Sequence, residues 1–166
     1  MSEPDFPTGT ERDALCGFLD LQRAALLRKI DGVSDGDARK APTVSSLSLL
    51  GLVKHSALWE RRWFQVVVAG RKLPGEWPET GRSAWRTEDF RVGHEDTVTG
   101  WTARYAREIA ISREIAAGLD LDAPCARQDL APHNVRWVLL HLIEETARHA
   151  GHADIIRETL DGATGI

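Results

Sequence analysis

Apolar side chains recur every three to four residues in four segments of the chain, which is the spacing of one face of a helix. The first predicted helix begins after Thr10, which can cap it together with Asp13, and ends before the turn-forming segment 31–37. A short further turn of helix is predicted at 34–40. The predicted inward stripe of the first helix is Leu15, Phe18, Leu19, Gln22, Leu26 and Ile30.

The second predicted helix begins near Ser46 or Ser48 and continues to Gly70. Its predicted inward positions are Leu49, Leu52, Val53, Ser56, Trp59, Trp63, Val66 and Val67. The third predicted helix spans about 96–117 and has the least regular pattern. Its candidate inward positions are Val98, Trp101, Tyr105, Ile109 and Ile115.

The fourth predicted helix has the clearest boundaries. Asn134 can cap its first turn, the pattern continues to Leu160, and Gly162 stands where a left-handed residue ends many helices. No segment shows the alternation of a strand, so the predicted fold class is all-α. Four helices of about 20 residues predict a four-helix bundle.

A long link, residues 70–96, joins the second and third predicted helices. It is rich in proline, glycine and aromatic residues, and it is longer than an ordinary turn between bundle helices. Trp77, Trp85 and Phe90 argue against simple disorder, because aromatic side chains favour burial. We expect the link to pack over one end of the bundle, either as a cover for the core or as a wall of a substrate pocket.

Polar residues interrupt the apolar face of the fourth helix in the stretch EETARHAGH, residues 144–152. At about 100° per residue, Glu145 and His149 fall within the buried arc, whereas Glu144 lies outside it and His152 lies on its flank. A buried carboxylate needs a counter-charge, hydrogen bonds or a metal. Because i, i+4 residues share one face, Glu145 and His149 can bind one ion, although many such pairs are solvated or merely hydrogen-bonded.

His55, at the edge of the apolar arc of the second helix, can supply a third ligand. The usual alternative for a histidine on an apolar face is a core imidazole with an ordinary hydrogen-bond partner. His55, Glu145 and His149 together make a set of two histidines and one carboxylate, which suits zinc with an open fourth position. The same set suits non-haem iron(II), so ligand type alone does not choose the metal.

Composition excludes several other kinds of function. The 166 residues have 25 acidic and 21 basic side chains, a net charge of −4, and this balance argues against a nucleic-acid partner. Without an apolar run of about 20 residues or a secretory signal, a cytoplasmic protein with no membrane partner is expected. Cys16 and Cys125 form no CxxC pair, so a metal here would use nitrogen and oxygen ligands. The length predicts a single domain, 1–166.

Two stretches, LLGLVKHSALWERRWF at 49–64 and VRWVLLHLIEETARHAGHADIIRETLDG at 135–162, resemble the DinB-like (YfiT-like) superfamily, and the resemblance covers about 10–162. Typical members have an HxxxH pair in the fourth helix, where this chain has Glu145 and His149. The resulting His, Glu, His pattern with His55 is similar to the zinc site in the N-terminal domain of mycothiol-dependent maleylpyruvate isomerases. Those isomerases have a further C-terminal domain, so their reaction is not expected of this chain.

The resemblance implies a bundle with up-down-down-up topology, in which the link joins two parallel helices. It also implies a divalent metal, zinc first with nickel or iron as alternatives, and a low-molecular-weight thiol as co-substrate. Homodimers are frequent in such proteins, so a homodimer is expected.

The leading functional hypothesis is a metal-dependent S-transferase that joins a mycothiol-type thiol to a small electrophile. Its predicted substrate-binding residues are Trp59, Arg62, Trp63, Trp77, Trp85 and His152. One alternative is a non-catalytic protein that binds a metal or small ligand, for example with His152 as a fourth ligand. Another is a metal-dependent hydrolase, ranked lowest because the neighbouring carboxylates, Glu144 and Asp154, point away from the predicted site.

Overall fold

The computed structural model describes residues 9–73 and 88–164, and it contains five α-helices and one π-helix within them. The helices are α1 (Glu11–Ile30), α2 (Asp35–Ala38), α3 (Leu49–Glu60), the π-helix (Arg61–Val68), α4 (Val98–Ala117) and α5 (Val135–Asp161). The described residues form no strand beyond a single bridge between Pro124 and Asn134. The predicted all-α fold is therefore confirmed.

Side-chain caps begin the helices where the sequence predicts them. Thr10 and Asp13 form a reciprocal capping box at the start of α1. Asn134 accepts a hydrogen bond from the backbone of Trp137 at the start of α5. At the other end of α5, Gly162 adopts a left-handed conformation with φ of 74°. These local signals confirm the predicted boundaries of α1 and α5.

The helix directions follow from contacts near the helix ends. Glu11 at the start of α1 pairs with Arg136 at the start of α5, and Arg157 near the end of α5 donates to the carbonyl of Asp31 beyond the end of α1. α1 and α5 are therefore parallel.

The other two long helices run in the opposite direction. Asp35, just after α1, accepts a hydrogen bond from the backbone of Val98 at the start of α4. Trp63 in the π-helix packs against Trp137 at the start of α5, with ring centroids 5.5 Å apart. The order up, down, down, up is thus confirmed, and the link joins the two parallel helices as predicted.

The second predicted helix differs from a plain α-helix in its last eight residues, which form the π-helix. Seven of these eight side chains, all except that of Arg61, are buried. Hydrophobic spacing cannot distinguish α from π over so short a segment, in which the buried side chains include Arg62 and Gln65 as well as apolar residues. The carbonyls of Val67 and Val68 accept backbone hydrogen bonds from the segment between α4 and α5, which closes this helix end.

Some predicted inward positions are wrong or only partly right. Phe18 is 42% exposed, and Arg23 is buried on the inward face of α1 instead. Val98 and Trp101 in α4 are half-buried, whereas Glu108 and Ser112 are buried. These errors share one cause. The chain places polar side chains inside the bundle, and a pattern of apolar residues cannot reveal them.

The buried apolar residues form two clusters, one toward each end of the bundle. One contains Leu19 and Trp63 with the first turns of α5, and the other contains Leu26 and Tyr105 with the later turns of α5. Arg23, His55, Glu60, Thr146 and His149 are buried polar residues at the level between them. The best paired are Arg23 and Glu60, joined by two hydrogen bonds of 2.7 Å. This middle layer is where the candidate site is found.

Residues 88–96 of the link pack along the side of α3 and reach Arg39, just after α2. Most of the predicted cover over one end of the bundle falls on residues outside the described ranges. Lys54 in α3 donates to the carbonyl of Arg91 and pairs with Asp96. Trp77 and Trp85 lie outside the described residues. Within the described chain, no helix is both long and apolar enough to cross a membrane.

Candidate metal centre

His55, Glu145 and His149 come together in the middle layer of the bundle. Each offers one ligand atom, and the three atoms lie within 4.8 Å of one another. α3 supplies His55, and α5 supplies the other two from successive turns of one face. No other group of three potential ligands is found among the described residues.

The spacing of these atoms fits a metal better than direct hydrogen bonds. Glu145 Oε1 lies 3.4 Å from His149 Nε2 and 3.7 Å from His55 Nε2, beyond the usual 2.7–3.2 Å of such hydrogen bonds. Ligand bonds of about 2.0–2.1 Å around a tetrahedral zinc ion place donor atoms roughly 3.4 Å apart. The two separations that involve Glu145 are close to that value, and all three ligand atoms lie within 4.8 Å of one another.

Buried nitrogen atoms without hydrogen bonds support the same interpretation. Among the described residues, none makes a hydrogen bond with either ring nitrogen of His55 or with Nε2 of His149. The side chains of His55 and His149 are only 3% and 7% exposed, so water reaches them poorly. A buried polar atom without a partner is costly, and a cation between the two Nε2 atoms would satisfy both.

The charges also suit a cation. The imidazoles of His149 and His55 hold the pKa of Glu145 well below its usual range, so its carboxylate is charged at neutral pH. Burial lowers the pKa of His55 to about 4, which leaves its ring neutral with a lone pair free for coordination.

Arg148, one turn along the exposed side of α5, holds the second oxygen of Glu145. Its Nη1 donates to Glu145 Oε2 at 2.6 Å, and its other terminal nitrogen donates to Glu144. Glu144 thus lies outside the site, as the helical register predicts. With Oε2 engaged by Arg148, Oε1 is the oxygen that faces the two imidazoles.

His152 lies behind His149 and outside the ligand cluster. Its Nδ1 is 3.5 Å from His149 Nδ1, on the opposite edge of that ring from the nitrogen that faces Glu145. Burial lowers the pKa of His152, so a neutral ring can accept a hydrogen bond from His149. The structure does not bring His152 to the position of a fourth ligand.

The link contributes two further residues, Asp89 and Phe90. The Asp89 carboxylate is buried, forms a two-pronged ion pair with Arg62, and lies 3.9 Å from His55 Nδ1. Phe90 stacks on His55 with ring centroids 4.1 Å apart. Arg62, predicted to bind substrate, is thus engaged with Asp89.

An aromatic row leads from the site to the surface; it consists of Trp59, Trp63, His141, Trp137 and His133. Trp59 contacts His55 edge-on at 5.4 Å and stacks with Trp63 at 6.0 Å. His141 packs against Trp63 and Trp137, and Trp137 is 37% exposed. Trp59 and Trp63 thus form the inner end of this row, beside the candidate metal centre.

The sequence analysis did not identify Trp137, His141 or Asp89 as parts of the site. Trp137, His141 and Glu145 are spaced i, i+4, i+8, so helical register could have revealed a shared face. Asp89 lies in a link without periodicity, and no sequence signal connects it to His55.

A family model described as Mycothiol-S-transferase matches residues 14–162 of the chain. A search of curated proteins finds no match. Among solved structures, the chain is similar to a conserved protein of locus from Enterococcus faecalis, known from its crystal structure. The TM-score is 0.65 at 14% sequence identity, over 94% of this chain and 100% of that one. At this identity the likeness shows the fold alone.

Proposed function

The chain belongs to the mycothiol-S-transferase family, and from that premise we propose that it transfers a low-molecular-weight thiol of the mycothiol type to a small electrophile. His55, Glu145 and His149 hold a divalent metal for this reaction, with zinc as the first candidate and nickel or iron as alternatives. The observation that carries the proposal is the convergence of two buried, unbonded imidazole nitrogens on one charged carboxylate oxygen.

The reaction forms a carbon–sulfur bond. The S–H bond of the thiol breaks and its sulfur attacks the electrophilic carbon; with an aryl chloride, chloride leaves and the thiol proton goes to solvent. A divalent metal supplies the charge that lowers the pKa of a thiol ligand. His55, Glu145 and His149 would hold this metal as three protein ligands, the number found in catalytic zinc sites that also bind substrate.

Ionising the thiol is not enough to explain a large acceleration. An alkyl thiol with a pKa of about 8.5 is roughly 3% thiolate at pH 7, so full ionisation gains about thirtyfold. A fall of about three pKa units also costs roughly fifteen- to thirtyfold in intrinsic nucleophilicity. The two effects nearly cancel. Most of the acceleration therefore comes from holding thiol and electrophile together in one pocket.

The aromatic row supports an apolar or aromatic electrophile. Trp59 lies beside His55 and stacks with Trp63, and aromatic side chains of this kind bind aromatic rings by stacking and exclude water. In this proposal Arg62 lines the substrate pocket and is held there by its ion pair with Asp89. His152 helps to form the pocket from its position against His149. Trp77 and Trp85, outside the described residues, remain proposed substrate-binding residues.

A thiol-transfer assay tests the proposal. Zinc-loaded protein is incubated with 1-chloro-2,4-dinitrobenzene and, in separate reactions, mycothiol, glutathione or N-acetylcysteine, and thioether formation is followed by absorbance. We expect a rate above background with at least one thiol. The rate should disappear in His55→Ala and persist in His94→Ala, which changes an exposed histidine outside the ligand group. Zinc-loaded wild type with no rate above background for any thiol would refute transferase activity.

The same preparation separates the two alternatives. A protein that binds zinc stoichiometrically but gives no turnover supports a non-catalytic metal-binding role. Hydrolysis of an activated ester such as p-nitrophenyl acetate without added thiol, and lost in His55→Ala, supports a metal-dependent hydrolase.

A further inference from the structure

Each candidate ligand has one polar atom that faces the other ligands and one that faces away. The outward atoms of Glu145 and His149 meet residues three positions later on the same helix: Arg148 contacts Glu145 Oε2, and His152 contacts His149 Nδ1. These two partners follow from the register of α5 alone. The outward nitrogen of His55, Nδ1, has no such partner on α3.

The polar group nearest to His55 Nδ1 comes instead from the link. Asp89 Oδ2 lies 3.9 Å away, and both side chains are almost completely buried. Arg62 donates a hydrogen bond to each oxygen of Asp89, so the carboxylate is fixed in place. A fixed, buried carboxylate next to an unbonded ring nitrogen is well placed to accept a hydrogen bond from an N–H at that nitrogen.

The neighbouring residue holds the same ring by its face. Phe90 stacks on His55 at a centroid distance of 4.1 Å and an interplanar angle of 16°. The backbone of Phe90 also lies directly against Gly51, where an added Cβ would come within 2.5 Å of the Phe90 carbonyl oxygen. Two consecutive link residues therefore constrain one edge and one face of His55.

We propose that Asp89 is a positioning residue of the metal centre: it accepts the Nδ1–H of His55 and thereby directs Nε2 toward Glu145 and His149. Histidines that bind metals commonly donate their other ring N–H to a carboxylate, which fixes the tautomer and strengthens the ligand. This inference rests on the proposed metal centre but not on the thiol-transfer reaction. It assigns the link a function, since metal affinity then depends on Asp89 remaining docked on α3.

Zinc affinity, measured by competition with a chromophoric chelator, tests the proposal. Loss of such a partner typically weakens metal binding by about ten- to a hundredfold, and we expect that loss for Asp89→Asn. Glu88→Gln is the matched control, because it removes the same charge from the adjacent, exposed position. The control should bind zinc within about twofold of wild type. An Asp89→Asn affinity within twofold of wild type overturns the proposal.

Nitrogen NMR of the zinc-loaded wild type gives a second readout, which tests the tautomer of His55 that the proposal requires. In protein with ¹⁵N-labelled histidine, we expect His55 to bind zinc through Nε2 and to keep a proton on Nδ1. Binding through Nδ1 overturns the proposal without any variant having to fold. Wild type that binds no zinc refutes the metal centre itself, and with it this inference; wild type that binds zinc through Nδ1 refutes this inference alone.

Discussion

The three candidate ligands show how far individual site residues can be predicted from the sequence. Register on a single helix places Glu145 and His149 on the same inward face, and the structure brings their ligand atoms to 3.4 Å. The meeting with His55 requires tertiary packing, so sequence could only propose it. Asp89 could not be predicted at all, because its proximity to His55 depends on the path of an irregular link.

The burial of His55 predicts a pH dependence of stability in metal-free protein. Its folded-state pKa of about 4 lies below the ordinary value of 6.5, so the unfolded chain accepts a proton that the folded protein resists. Neutral His55 makes its full contribution to the free energy of unfolding above pH 6.5, and this contribution is lost as the pH falls from 6.5 toward 4. The size of the effect is about 3 kcal/mol in the free energy of unfolding.

Urea denaturation of chelator-treated protein between pH 7.5 and 4.5 measures this effect. His55→Gln should lose less stability than wild type as the pH falls, because glutamine does not take up a proton. Identical pH dependences of the two proteins would show that His55 does not resist protonation in the fold.

At the scale of the elements, predictions are most accurate where local signals are strong. The capping residues Thr10 and Asn134 and the terminal Gly162 mark α1 and α5 closely. The π-helix was not predicted, since π geometry depends on packing and its buried residues mix apolar side chains with Arg62 and Gln65. The inward faces of α1 and α4 were partly wrong for a related reason: buried polar residues such as Arg23 and Glu108 carry no apolar signal.

Two glycines of α5 should respond in opposite directions to alanine. Gly162 has a φ of 74°, where alanine is strained, so Gly162→Ala should destabilise the protein by about 1 kcal/mol. Gly151 is an exposed helical residue with open space around its Cα, so Gly151→Ala should stabilise it by roughly 0.5–1 kcal/mol. Chemical denaturation of the two variants beside wild type checks both signs. Changes of the same sign would contradict the boundaries assigned to α5.

For the whole molecule, the bundle topology and the family were predicted correctly because the motifs on the second and fourth helices extend over much of the chain. The structure adds the polar middle layer between two apolar clusters, in which the candidate ligands meet. The single domain, the homodimer and the cytoplasmic location stay predictions. The proposed function depends on one property of the molecule, that this layer binds a metal.

Metal content after loading and washing measures that claim directly. Wild type, His149→Ala and His94→Ala are saturated with zinc, freed of excess metal by gel filtration and analysed for zinc per chain. We predict about one zinc per chain in wild type and in His94→Ala, and none in His149→Ala, because that variant removes one of only three ligands. Wild type that retains no zinc, or His149→Ala that retains as much as wild type, would contradict the account.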